Sequence, residues 1–217
     1  MTRTRFPRGL YGVTPDWPDT DRLLPAIEAA HAGGMAVLQW RRKTGERAAH
    51  LAQLDRVHEL CQRLGLLLIV NDDWRLAADI DADGVHLGRD DGPIAQARMA
   101  LGSDKIIGCS CYNVPALART ALDLDIDYIA FGAMYPSRVK PGAAQATLDH
   151  IRQGHALTMT HQPRPAVVAI GGLTPENIAP VIQAGADSVA MISGLFEASD
   201  VCVAARRCTT LFNQISS

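Results

Sequence analysis

Three sets of polar residues in the chain are spaced so that they could hold phosphate. In Gln39-Trp40-Arg41-Arg42-Lys43, the period of two of an extended chain sends Gln39, Arg41 and Lys43 to one side and Trp40 and Arg42 to the other. A guanidinium fork beside an ammonium suits a polyphosphate, which takes both bidentate donors and point charge. On this motif alone, a solvated charged loop is an equal alternative. Asn71-Asp72-Asp73 and Arg89-Asp90-Asp91 supply carboxylates, and Mg²⁺ is commonly held by one or two carboxylates together with substrate phosphate oxygens. Each Asp could instead cap a following helix. That reading is preferred for Asp73 and Asp90, whereas the cations neighbouring Asp72 and Asp91 favour metal.

The remaining sets carry hydroxyls, a lysine and glycines. Ser110 ends the run Ile106 to Ser110, and Gly132 to Gly142 carries Ser137, Arg138, Val139 and Lys140 in a proline-bounded turn. A lone serine is more often a local cap. Gly171-Gly172 and Ile192-Ser193-Gly194 could offer bare backbone N–H groups to an anion, with a simple tight turn as the alternative for the glycine pair. The seven histidines form no H-E-x-x-H pair, and there is no P-loop or nucleophile elbow. His86 is expected to be a hydrogen-bonded internal residue rather than a base.

These residues are useful only if the fold gathers them. Short aliphatic runs alternate with helical periodicity, the pattern of parallel βαβ units. Strands are predicted at Leu10–Val13, Met35–Gln39, Leu66–Val70, Gly84–Leu87, Ile106–Ser110, Tyr128–Phe131, Ala166–Ile170 and Ser188–Ile192. Helices are predicted at Asp21–Ala32, Arg47–Leu64, Trp74–Asp79, Ile94–Leu101, Pro115–Leu124, Leu148–Ala156, Pro175–Ala184 and Asp200–Gln214. Eight units in 217 residues is about 27 each, enough for one minimal (β/α)8 TIM barrel and no second domain. Residues 1–8 are expected to be a flexible arm. A partial repeat places an Asp just before three strands, at Asp83, Asp127 and Asp187. An open doubly wound sheet would show G-x-G-x-x-G after the first strand, where Tyr11-Gly12-Val13-Thr14-Pro15 stands instead. In a barrel the chemistry lies at the C-terminal ends of the strands, where all the sets above fall, and loops seven and eight usually form its phosphate cup.

Composition narrows the class. With 21 basic and 23 acidic residues the net charge is −2, which gives no footprint for nucleic acid and no polybasic surface for lipid. The longest aliphatic run, Leu64 to Val70, is far short of the roughly 20 residues that span a bilayer. Nothing near Met1 reads as a secretory signal. Five cysteines without C-x-x-C spacing point to a reducing cytoplasm, and Cys109 and Cys111 read as small buried apolar groups.

Gln39-x-Arg41-x-Lys43, Asn71-Asp72, Ala82 to Gly88 with Asp91, Gly108-x-Ser110, Gly132 to Lys140, Ala169 to Gly172 and Ala186 to Ser193 occur in order. Together they resemble the thiamine-phosphate synthase family. The resemblance implies a barrel that joins an aminopyrimidine methyl diphosphate to a thiazole phosphate, releasing pyrophosphate. It implies one Mg²⁺ per subunit on Asp72 and Asp91. It places the pyrimidine diphosphate against Gln39, Trp40, Arg41, Arg42, Lys43, Asn71, Ser110 and Lys140, with Arg41, Lys43, Ser110 and Lys140 as the catalytic set. It places the thiazole phosphate against Ser137, Arg138, Val139, Gly172, Ile192 and Ser193. A homodimer is compatible with it.

Two departures stand out. Ser137 and Val139 replace the family's usual threonines, removing one hydroxyl, and Arg42 and Arg89 replace a usual glutamate and glutamine. A thiazole tautomerase on the same scaffold would keep the strand seven and eight cup but would not need the cations or the Asp pair. A silent phosphate-binding regulator is the third reading, which Val139 keeps open. Pro136 to Gly142 is the expected lid.

Overall fold

A computed structural model describes residues 6–136, 142 and 144–215. Strands and helices alternate through β1 (Gly9–Val13), α1 (Thr20–Ala32), β2 (Met35–Trp40), α2 (Arg47–Leu64), β3 (Leu67–Asn71), α3 (Trp74–Asp79), β4 (Gly84–Leu87) and α4 (Ile94–Leu101). They continue through β5 (Ile106–Tyr112), α5 (Pro115–Leu122), β6 (Tyr128–Phe131), α6 (Leu148–Thr158), β7 (Ala166–Ile170), α7 (Ala179–Gln183), β8 (Ser188–Met191), α8 (Ser193–Phe196) and α9 (Val201–Ile215). The eight strands pair in parallel in sequence order, and β1 closes on β8 with Leu10 opposite Val189. This is the expected (β/α)8 barrel.

Local chemistry explains most boundaries. Asp19 caps α1 by accepting from the Arg22 N–H, Gly65 ends α2 in the left-handed region at φ 64°, and Pro115 opens α5. Leu54, Val57, Leu60 and Cys61 recur at helical spacing on α2 and are buried on the barrel wall.

The repeated aspartates have one shared job. Asp83, Asp127 and Asp187, just before β4, β6 and β8, each accept the backbone N–H of the preceding strand: Leu68, Ile107 and Val167, all at 2.8 Å. Arg98 and Arg164 pair with Asp127 and Asp187. A hydrogen bond to a charged group contributes about 1.5–3 kcal/mol, so these contacts lock the N-terminal rim away from the mouth.

Two expectations are corrected. The arm does not begin its order at residue 9, because Phe6 is fully buried inside the barrel, 4.3 Å from the Tyr128 ring centroid, and Ser188 donates to the Pro7 carbonyl. Residues 1–5 lie outside the described set. α7 starts at Ala179 rather than Pro175, since Asn177 binds the Thr174 N–H and the Gly172 carbonyl and holds the intervening segment in turns. α8 has no counterpart in the sequence reading, because its four residues are too few to show a period.

The barrel lumen is filled by a separate cluster that includes Phe6, Tyr11, Val37, Ile69 and Tyr128. A Cβ on Gly108 would lie 1.9 Å from the Tyr128 ring. Glycine at 108 is therefore what lets this tyrosine cross the lumen.

Candidate active site

A cavity of about 410 Å³ opens at the C-terminal ends of the strands, above the lumen cluster. Its floor is a hydrogen-bonded chain contributed by β1, β2, β4, β5 and β6. Gln39 Nε2 donates to Tyr11 Oη at 2.7 Å, Tyr11 Oη meets Tyr128 Oη at 2.9 Å, Tyr128 Oη meets His86 Nδ1 at 2.9 Å, and His86 Nε2 meets Ser110 Oγ at 2.9 Å. Burial pushes both phenols well above their ordinary pKa, so both stay neutral. His86 is a hydrogen-bonded internal residue, as expected.

Charged groups stand above this floor. Arg41, Lys43, Asn71, Asp72 and Asp91 all line the cavity. The β1–α1 loop holds the cationic pair in place. The fully buried Thr14 brackets the Arg41 backbone, its hydroxyl accepting from the N–H at 2.8 Å and donating to the carbonyl at 3.0 Å. Asp16 accepts from the Lys43 N–H at 3.1 Å and from the Thr44 hydroxyl at 2.9 Å. Burial works to raise the Asp16 pKa, but these donors and Arg42 outweigh it and hold the carboxyl below its ordinary range.

Lys43 Nζ pairs with Asp72, and both side chains are partly exposed. Such a pair is weak and can open to take a ligand. Asp72 adopts φ 68° and its N–H bonds the His86 carbonyl, which turns its carboxylate toward Asp91. Asp91 accepts the Gly88 N–H at 2.6 Å. Burial, then the facing Asp72, raises its pKa despite Gly88 and Lys43, because a like charge nearby disfavours the ionised form. No group of three or more His, Cys, Asp or Glu is arranged for a metal among the described residues. The donor set is therefore two carboxylates with open positions, which fits a hard cation completing its shell with water and phosphate oxygens. Arg89, held 5.2 Å over the Tyr112 ring, adds positive charge beside Asp91.

Not every expected residue reaches the cavity. Trp40 and Arg42 point the other way, as strand alternation dictates. Trp40 is 5% exposed and packs in the helical layer, and Arg42 pairs with Asp16 at 3.4 Å and donates to the Thr44 carbonyl. Arg42 supports the loop from behind. Ile192 and Gly171 line the cavity, whereas Gly172 and Ser193, each half-buried, do not line it. Asp73 caps α3 as read. Asp90 does not cap α4, whose N-terminus follows Pro93, and lines the mouth instead. Ser137, Arg138, Val139 and Lys140, and with them most of the expected lid, lie outside the described residues.

Sequence reasoning missed Tyr11, Tyr128, Thr14 and Asp16. The tyrosines sit within short apolar strands that give no local sign of the contact across the lumen. Thr14 and Asp16 gave no signal, since their partners are 27 positions away.

Fold and site together define an α/β-barrel enzyme with a charged, polar cavity at the C-terminal face of its barrel. The comparisons agree. Residues 10–195 match the family model described as thiamine monophosphate synthase. The thiamine-phosphate synthase of Bordetella bronchiseptica is 50% identical over 214 residues, covering 98% of this chain and 99% of that one. That of Thiobacillus denitrificans is 51% identical over 207 residues, covering 95% and 96%. The solved structure of thiamine phosphate pyrophosphorylase from Pyrococcus furiosus superposes with a TM-score of 0.82 at 27% identity, over 98% of this chain and 99% of that one. The chain belongs to the thiamine-phosphate synthase family, and it is a transferase of thiamine biosynthesis.

Proposed function

We propose that this protein condenses 4-amino-2-methyl-5-(diphosphooxymethyl)pyrimidine with a thiazole phosphate, giving thiamine phosphate and pyrophosphate, in a Mg²⁺-dependent reaction. The observation that carries this reading is one cavity with a neutral, hydrogen-bonding floor under a rim of Arg41, Lys43, Asn71, Asp72 and Asp91. A flat polar heterocycle carrying a charged tail needs that layering.

Gln39 and Ser110 meet the pyrimidine, and Arg41, Lys43 and Asn71 grip its diphosphate, with Lys140 assigned the same role. Asp72 and Asp91 hold Mg²⁺, which when bound neutralises the departing diphosphate. Both His86 ring nitrogens are engaged by Tyr128 and Ser110, so His86 is committed to the floor. None is needed as a base, because the bond from the pyrimidine methylene to oxygen breaks as diphosphate leaves and the thiazole nitrogen supplies its lone pair to the resulting cation. The residues must stabilise an anion and exclude water. Val13, Ala130, Val168, Ile170, Ala190 and Ile192 supply the dry wall. The thiazole phosphate lies on the β7 and β8 side, with Gly172, Ile192, Ser193 and the assigned Ser137, Arg138 and Val139. Five free cysteines and a soluble substrate pair support a cytoplasmic setting. Among the described residues no helix is long and apolar enough to cross a membrane.

Pyrophosphate release tests the reading. It is expected to need both substrates and Mg²⁺, to stop with EDTA, and to fall roughly 10²–10³-fold in Asp72→Ala. Release without the thiazole phosphate, or unchanged in EDTA, would refute it.

A further inference from the structure

The floor chain has a direction. Tyr11 and Tyr128 are both neutral and fully buried, and each phenol has two polar neighbours. Each therefore accepts one hydrogen bond and donates one. Gln39 donates its amide N–H to Tyr11, so Tyr11 must donate to Tyr128 and Tyr128 to His86 Nδ1. The His86 proton is then on Nε2 and is given to Ser110 Oγ, whose own hydrogen turns to the cavity. At the opposite end the Gln39 carbonyl oxygen is left to accept. The two ends, 71 positions apart in sequence, thus have opposite and linked polarity. Reversing one bond would require the amide, three hydroxyls and the imidazole tautomer to reverse together.

We propose that Tyr11, Tyr128 and His86 are positioning residues that fix Gln39 as an acceptor and Ser110 as a donor, and that this fixed polarity selects an amino-pyrimidine over its oxo counterpart. The inference rests on the proposed pyrimidine substrate. An amino group supplies the hydrogen that the Gln39 carbonyl is left to accept, and a ring nitrogen supplies the lone pair that the Ser110 hydroxyl is left to meet. An oxo group in place of the amino group would set an acceptor against the Gln39 carbonyl, and unpaired buried polar groups are what give large discrimination.

Tyr128→Phe removes only the hydroxyl that joins the two halves and keeps the ring that fills the lumen. With thiazole phosphate and Mg²⁺, the ratio of kcat/KM for the 4-amino and 4-oxo pyrimidine diphosphates is expected to fall at least about 10-fold, through the pyrimidine KM and with the thiazole KM unchanged. Tyr11→Phe added to it should bring little further loss, since the chain is already cut. In the unliganded native protein, the ¹⁵N shifts of His86 are expected to show a bare Nδ1 and a protonated Nε2, a reading that needs no variant. An Nδ1–H tautomer, or a discrimination ratio unchanged in Tyr128→Phe, overturns the inference while leaving the synthase reading intact. A native protein that turns over neither pyrimidine overturns both.

Discussion

On the β2–β5 side of the mouth, polar side chains line the cavity, each held by a second set of side chains: Arg41 by Thr14, Lys43 by Asp16, Ser110 by His86. On the β7–β8 side, close-packed glycine backbone and small apolar side chains take their place. Gly172 and Gly194 pack so closely that a Cβ would lie 2.6 Å from the Tyr135 and Pro136 carbonyls and 2.0 Å from the Leu173 carbonyl. Under the proposed function, the difference follows from the ligands. A diphosphate that must leave needs charge that can be preorganised around it, whereas a phosphate that only anchors its substrate is served by fixed N–H groups. The two sides should therefore fail differently, the first through chemistry and the second through shape.

Arg41→Ala is the largest break on the side-chain half. The guanidinium faces the cavity with its backbone clamped independently by Thr14, so truncation should remove charge without moving the strand. Turnover is expected to fall roughly 10²–10³-fold with the melting temperature nearly unchanged. Loss of both together would mean that Arg41 is structural and would blur the contrast between the halves.

Gly172→Ala should break the backbone half. At φ 63° a non-glycine residue is strained by roughly 1–2 kcal/mol, and the new methyl group meets two carbonyl oxygens. The expected signature is about a 10-fold rise in the thiazole phosphate KM with the pyrimidine KM unchanged. Ser193→Ala, which removes a hydroxyl that does not line the cavity, should do much less. A larger effect from Ser193 than from Gly172 would show that a hydroxyl, and not the backbone, holds that phosphate.

The same division sets what could be read from sequence. Strands β4, β6 and β7 and helices α2, α3 and α4 begin and end where expected, because their punctuation is local: Gly65 after α2, Asp73 before α3, Gly84 at β4. The cationic motif and the Asp pair were legible because they follow strand ends directly, and alternation correctly separated Arg41 and Lys43 from Trp40 and Arg42. Including the latter two among the substrate contacts overrode that geometry. The floor was not legible. Tyr11 and Tyr128 acquire their meaning only when closure of the barrel brings residues 117 positions apart within 2.9 Å, and no local period records a contact across a lumen.

Asp16→Asn probes the smallest effect, the support beneath the rim. Its carboxylate accepts from the Lys43 N–H and the Thr44 hydroxyl and pairs with Arg42, and these partners favour the charged form. A carboxyl held below its ordinary range contributes stability that is present above the unfolded pKa of about 4 and is lost as pH falls through the lower folded value. Partial exposure limits this to at most about 1 kcal/mol. The melting temperature of the native protein should therefore exceed that of Asp16→Asn by a few degrees at pH 7, with the gap closing below about pH 4. A few-fold loss in turnover should accompany it, because Lys43 would be less well placed although its charge is untouched. If the gap in melting temperature persisted at low pH, the support would come from packing rather than charge, and the side-chain half would owe its order to the same kind of contact as the backbone half.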